Sequence, residues 1–103
     1  MSKKPETIFK EKLLKKLKEV PNIWVLKTHE IARRGVPDLI ICFDGGFYAF
    51  ELKKDAKESP DPLQTYELNT ISQKAKGVTG TLHPENYKKV LTKLGILKGE
   101  QND

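Results

Sequence analysis

Apolar positions change their period several times along the chain, and each change predicts an element. Phe9, Leu13, Leu17 and Val20 recur at helical spacing. At about 100° per residue they fall within roughly an 80° arc. This predicts a helix over 5–20, with Ser2 as an upstream cap, Pro5 in its first turn and Pro21-Asn22 ending it. Glu6 lies inside the apolar arc, whereas Glu11 projects nearly opposite it among Lys12, Lys15 and Lys18. Ile23 to Thr28 is rich in β-branched and aromatic residues and predicts a strand. A polar, basic loop from His29 to Gly35 follows. Leu39 to Phe43 is a second strand, whose unbroken apolar run implies burial on both faces. Asp44-Gly45-Gly46 is a turn, and Phe47 to Lys53 a third strand. After a charged loop, Pro62 opens a helix over 63–76 with Leu63, Tyr66, Glu67 and Thr70-Ile71 at helical spacing, stopped by Gly77. Val78 to Leu82 is a fourth strand. His83-Pro84 opens a last helix with Tyr87, Val90, Leu91 and Leu94 on one face, and the tail from Lys98 is expected to fray. The order αβββαβα predicts an α/β fold, a mixed central sheet flanked by helices.

Size adds that 1–103 is a single domain, with its core at about 5–94 and little depth. Hydrophobic residues make up 37% and charged ones 32%, a polar but globular balance. A net charge of +5 favours a polyanionic partner. One cysteine, Cys42, excludes an internal disulfide, and its place in an apolar run suggests a buried structural thiol. No apolar stretch approaches the roughly 20 residues of a membrane span. The charged N-terminus lacks the apolar core of a signal peptide, so a soluble, cytoplasmic protein is expected.

The placement of charge in the second and third strands changes the picture more than composition does. Asp38 opens one apolar strand, and Glu51 and Lys53 close the next. Side chains alternate faces along a strand, so Glu51 and Lys53 share a face. A two-residue loop at Gly45-Gly46 would pair Asp38 with Lys53 and set Asp38 diagonal to Glu51, within about 7–8 Å. An odd loop without a bulge would put Asp38 on the opposite face, so an even loop, or an odd one with a compensating bulge, is expected. Two carboxylates at that spacing suit a hard divalent cation, with the backbone carbonyl of Leu52 as a further ligand. A lysine beside them can hold or deprotonate a water and offset anionic charge. This is the set that phosphodiester hydrolysis needs. Packed together without a cation, the carboxylates would have raised pKa values. A strand start after Pro37 and a solvated charged face would produce the same residues without chemistry.

Pro37-Asp38, twelve residues, then Glu51-Leu52-Lys53 resembles the signature of the PD-(D/E)xK nuclease superfamily. The element order is similar to its restriction-endonuclease-like core with one extra helix. Arg33-Arg34-Gly35-Val36-Pro37-Asp38-Leu39, with Pro62-Leu63-Gln64 downstream, more narrowly resembles the small stand-alone VRR-NUC domains of phages and bacteria, although Ala32 stands where that name has valine. The resemblance spans about 5–94. It implies Mg²⁺ or Mn²⁺ dependence, DNA cleavage, and a homodimer that resolves Holliday junctions or related branched DNA. The shallow core fits a dimer too. By that pattern Asp38 and Glu51 bind metal and Lys53 is the catalytic lysine. Glu6, with its inward position, matches the acid that a first helix often contributes to the site, and Glu11 is the poorer match. Gln64 matches a glutamine that supports the catalytic centre.

Arg33, Arg34, Lys27, His29 and Lys54 flank the same edge and form a candidate phosphate-holding rim. Lys12, Lys15, Lys16 and Lys18 are read as a wet helix face, and Trp24 and Tyr48 as core or dimer contacts rather than base-stacking platforms. The leading expectation is therefore a structure-selective endodeoxyribonuclease. A less selective nuclease (an exonuclease or nicking subunit) and a non-catalytic DNA-binding module on the same fold are the competing readings.

Overall fold

The structure is a computed structural model, and its described residues are 4–28 and 34–99. Helix α1 (Pro5–Lys18) leads into strands β1 (Ile23–Lys27), β2 (Leu39–Phe43) and β3 (Gly46–Leu52). Helix α2 (Pro62–Asn69), strand β4 (Val78–Leu82) and helix α3 (Tyr87–Lys93) complete the chain. The strands form one sheet in the order β1-β2-β3-β4. β1, β2 and β3 are antiparallel to one another, and β4 joins β3 in parallel. The α/β class, the mixed sheet and the element order agree with the sequence reading.

One sheet face carries the core. Leu39 and Ile41 of β2, Phe50 and Leu52 of β3 and Leu82 of β4 pack with Phe9, Leu13 and Leu17 of α1 and Tyr87 and Leu91 of α3. These residues are nearly all inaccessible to solvent. The rings of Phe9 and Tyr87 meet edge-to-face at 5.5 Å and tie the two helices together near their N-termini. α2 lies on the opposite face, which takes the alternate positions of each strand.

Four sequence expectations need correction. The helix expected over 63–76 ends its α-helical part at Asn69 and passes into a π-turn, Thr70–Lys74. Its inward residue is Leu68, while Leu63 and Tyr66 of the expected face remain exposed. Continuous burial of β2 on both faces does not hold either, because the short α2 reaches only the β3–β4 half of its face. Trp24 is 56% exposed, Phe47 46%, and Cys42 between them is exposed, not a buried thiol.

The hairpin turn is also one residue earlier than expected. The loop has the expected even length, but it is Asp44-Gly45, with Phe43 paired to Gly46. Both turn residues have positive φ, 51° and 81°. A two-residue hairpin of matching twist requires this of both positions, and Asp-Gly supplies it better than Gly-Gly because Asp keeps a side chain while tolerating the left-handed region. Shifting the turn by one residue shifts the pairing by two, so the face of Asp38 is kept and its partner changes.

A candidate metal-dependent hydrolytic site

The β2–β3 ladder runs from Phe43↔Gly46 to Leu39↔Phe50. Carried one place further, it sets Asp38 directly opposite Glu51, and not opposite Lys53. Directly opposed residues of antiparallel strands point to the same face. The two carboxylates are thus neighbours, as the chemistry requires, by a closer route than the diagonal one expected.

Pro37 explains why the ladder opens here. It would face Leu52 but has no N–H to donate. The Leu52 amide instead donates to Asp38 Oδ2 at 3.0 Å. The Pro37 carbonyl accepts from Thr28 Oγ1 at 2.6 Å, and the Asp38 carbonyl from Thr28 N at 2.9 Å. Asp38 is therefore pinned by its main chain and its side chain. The Leu52 carbonyl, opposite a residue that cannot donate, is left unclaimed by β2. Thr28 was not singled out from sequence; the buried threonine is legible only once Pro37 is seen to break the ladder.

Glu51 is 1% exposed. Its Oε2 accepts from Gln64 Nε2 and lies 3.8 Å from Lys53 Nζ. Its Oε1 is buried and meets no hydrogen-bond donor. Burial first, and then the neighbouring Asp38 charge, push the Glu51 carboxyl from its ordinary 4.5 up to about 8, while Lys53 and Lys10 pull it back. Two carboxyl groups can hydrogen-bond each other only through a proton. Lys53 at 3.8 Å offsets part of the charge of the pair, and a proton held by Glu51 removes more of it.

Gln64 joins this site to the start of α2. Asp61 caps the helix by accepting from Gln64 N at 2.9 Å, and Gln64 Oε1 accepts from Asp61 N at 3.0 Å, completing a reciprocal capping box. The same Oε1 accepts from Lys53 Nζ at 3.3 Å. One amide thus caps the helix, orients the lysine and donates to Glu51. The Asp-Pro-Leu-Gln run in the sequence encodes both roles.

Gly35 holds α2 against the loop that leads to Asp38. Its φ is +86°, and a Cβ there would stand 2.8 Å from Leu63 Cγ and 3.0 Å from Leu63 O. Gly35→Ala should lower stability by about 1–3 kcal/mol through strain at that φ. Denaturant midpoints measure the effect, and an unchanged midpoint would show that the Gly35–Leu63 contact does not need a glycine.

The remaining candidates divide. Glu6 is half exposed, and its carboxylate pairs with Lys10 Nζ at 3.1 Å. Among the described residues no third carboxylate, histidine or cysteine joins Asp38 and Glu51, so Glu6 is not gathered with them. The i,i+4 spacing lets Lys10 reach it along the same helix stripe. Lys10 is the cation that sequence reasoning missed, although it follows from the inward position of Glu6. Lys27 lies on the core side of the sheet, beside a groove shared with Leu14, Lys18 and Val25. Lys54 is exposed and pairs with Glu58 at 3.7 Å. Arg34 is exposed in the turn next to Gly35. Arg33 and His29 lie outside the described residues. No helix of the described residues is long and apolar enough to cross a membrane. Compared with protein-family models, curated proteins and solved structures, the chain matches none of them.

Proposed function

We propose that this protein is a divalent-metal-dependent endodeoxyribonuclease that hydrolyses phosphodiester bonds, with branched DNA such as a four-way junction as its substrate. The observation that carries the reading is the pairing of the buried Glu51 with the half-buried Asp38. It has an orphaned carboxylate oxygen, a neighbouring backbone carbonyl and a lysine 3.8 Å away. That donor set fits a hard cation, Mg²⁺ or Mn²⁺: carboxylate and carbonyl oxygens with no sulfur or imidazole.

Asp38, Glu51 and the Leu52 carbonyl would hold the ion. When bound, it supplies a more acidic water and neutralises charge on the scissile phosphate. Lys53 Nζ, oriented by Gln64 Oε1, can hold the attacking water and offset the charge that grows on the phosphate oxygens. Gln64 Nε2 fixes one Glu51 oxygen, and the other, which meets no donor, would be the one to hold an ion. The net charge of +5 supports a polyanionic substrate, and Arg34 at the rim offers a phosphate contact.

A four-way junction, linear duplex, flap and single strand are to be incubated in parallel with Mg²⁺, Mn²⁺ or chelator. Paired nicks in the junction, absent with chelator, are the expected result. Cutting of all four DNAs alike would leave a nuclease without structure selectivity. Binding with no cutting in either metal would reduce the fold to a DNA-binding module.

A further inference from the structure

Lysines of α1 and α3 converge on the helical layer behind the core face of the sheet. Lys16 of α1 and Lys88 of α3 line one cleft of about 120 Å³ with Thr92, Leu97 and Lys98. Lys88 and Thr92 also border an adjoining cleft with Lys89 and Lys93. Five lysines and no carboxylate therefore line one continuous surface. Among the described residues none of the five forms an ion pair. Glu85, the acid nearest to Lys88 in sequence, lies 4.0 Å from His83 instead.

The chain bends to make this surface. Gly95 takes a φ of +84°, and Ile96 N and Leu97 N both donate to Leu91 O, at 2.9 and 3.2 Å. That return after α3 brings Leu97 and Lys98 to Lys16. Lys16 and Lys88 are half-buried, so their stems lie along the cleft while their charged heads reach water. Lys16 thus departs from the wet helix face expected of it. Local stability does not account for the arrangement. Lysines in the last turn of a helix complement its dipole, which suffices for Lys16 and Lys93. Lys88 and Lys89 stand in the first turn of α3, where positive charge opposes the dipole, and no acid shares that turn. Lys89 and Lys93 are one turn apart, a spacing at which like charges repel. The surface gathers charge that the fold alone would disperse, and anionic oxygens would relieve it.

We propose that the α1–α3 cleft is a second DNA-backbone site, which holds a duplex segment other than the one presented to Asp38 and Glu51. Charge and position both point to this occupant. A duplex offers closely spaced, singly charged phosphates, and lysines with a threonine hydroxyl are side chains that hold them. α1 and α3 pack on the core face of the sheet, whereas Asp38 and Glu51 point to the face that α2 covers. Lys16 also lies about 9 Å further along α1 than Lys10, the residue of that helix whose charge acts on Glu51. The two surfaces are on opposite layers, so they take different segments, and a branched DNA has further arms to offer. This site takes its class of partner from the proposed function, and owes nothing to the metal chemistry.

Binding of a linear duplex, followed by fluorescence anisotropy in chelator across a range of salt, separates the site from the chemistry. Each phosphate neutralised contributes about 0.9 to the slope of log affinity against log salt. Lys16→Ala, Lys88→Ala and Lys89→Ala combined should lower that slope by roughly 3. Arginine at the same three positions keeps the charge and should keep the slope. Circular dichroism should match the parent, because none of the three side chains belongs to the core. Titration with a short duplex at low salt should give two per chain for the parent and one for the triple alanine variant. A slope unchanged by the alanines, or one duplex per chain in both proteins, would overturn the site and leave the proposed function standing. Absence of cutting with Mg²⁺, alongside the expected slopes, would do the reverse. Loss of binding to phosphatidylserine vesicles with duplex binding intact would assign the cleft to a membrane surface and overturn the proposal. Glu100→Gln with Asp103→Asn removes the tail acids and should leave the count at two. A second duplex seen only in that variant would make those acids the occupant.

Discussion

Glu51→Gln should abolish cleavage, by about a thousandfold or more, and at the same time make the metal-free protein more stable at neutral pH. On the proposed function, the first effect is the loss of a charged ligand to a cation that would be worth several kcal/mol to the transition state. The second follows from the environment of Glu51. Its carboxyl is buried beside Asp38, and its pKa is raised from 4.5 to about 8. At pH 7 the folded chain holds a proton there that the unfolded chain releases. A tenfold change in proton affinity is worth about 1.4 kcal/mol, so that mismatch amounts to about 3 kcal/mol at pH 7. Glutamine has nearly the same shape, accepts from Gln64 Nε2, can donate to Asp38 and never ionises. Urea melts in chelator should therefore show a higher midpoint for the variant, with an unchanged slope. A lower midpoint at pH 7 would mean that Glu51 stabilises the fold and is not a strained functional group.

Such conflict between local stability and chemistry is also what made the site legible in sequence. Asp38, Glu51 and Lys53 could be read because charges inside apolar strands contradict the pattern around them. Gln64 was singled out only through the resemblance, which places a supporting glutamine early in the helix that Pro62 opens; its capping role with Asp61 emerged from the structure. The exact pairing could not be read. It hangs on whether Asp44-Gly45 or Gly45-Gly46 makes the turn, and both dipeptides permit positive φ. The requirement that survived was parity, because any even loop keeps Asp38 and Glu51 on one face. Exposure of Cys42 and Trp24 was hidden for a different reason. An unbroken apolar strand reads as buried on both faces, and only the three-dimensional reach of α2, shortened by the π-turn after Asn69, shows where cover stops. Glu6 was read correctly as inward of its neighbours on α1, but helical phase cannot say how far a side chain reaches, and Lys10 one turn later takes it first.

Without divalent metal, stability of the parent chain should fall as pH rises from about 4.5 to about 8, and with Mn²⁺ or Mg²⁺ in excess that fall should shrink or reverse. The sign follows from the raised pKa of Glu51. Below 4.5 the carboxyl is protonated in folded and unfolded chains alike, and burial exacts nothing. Between 4.5 and about 8 only the folded chain keeps the proton, so the unfolded state gains with every unit of pH. Above about 8 both states are ionised, and the difference is at its full size. The placement of Asp38 against Glu51 means that a cation competes with that proton for the same pair. Binding to the ionised pair stabilises the fold in proportion to the logarithm of free metal over its dissociation constant. Apparent affinity should accordingly rise close to tenfold per pH unit below 8, with about one proton released per ion bound. Thermal midpoints across pH, with and without metal, and titration calorimetry in buffers of different ionisation enthalpy measure these two quantities separately. A metal-free midpoint that is flat or rising over this range would show that the Asp38–Glu51 pair carries no strain for a cation to relieve. Metal binding without proton release would place the ion somewhere other than on Glu51.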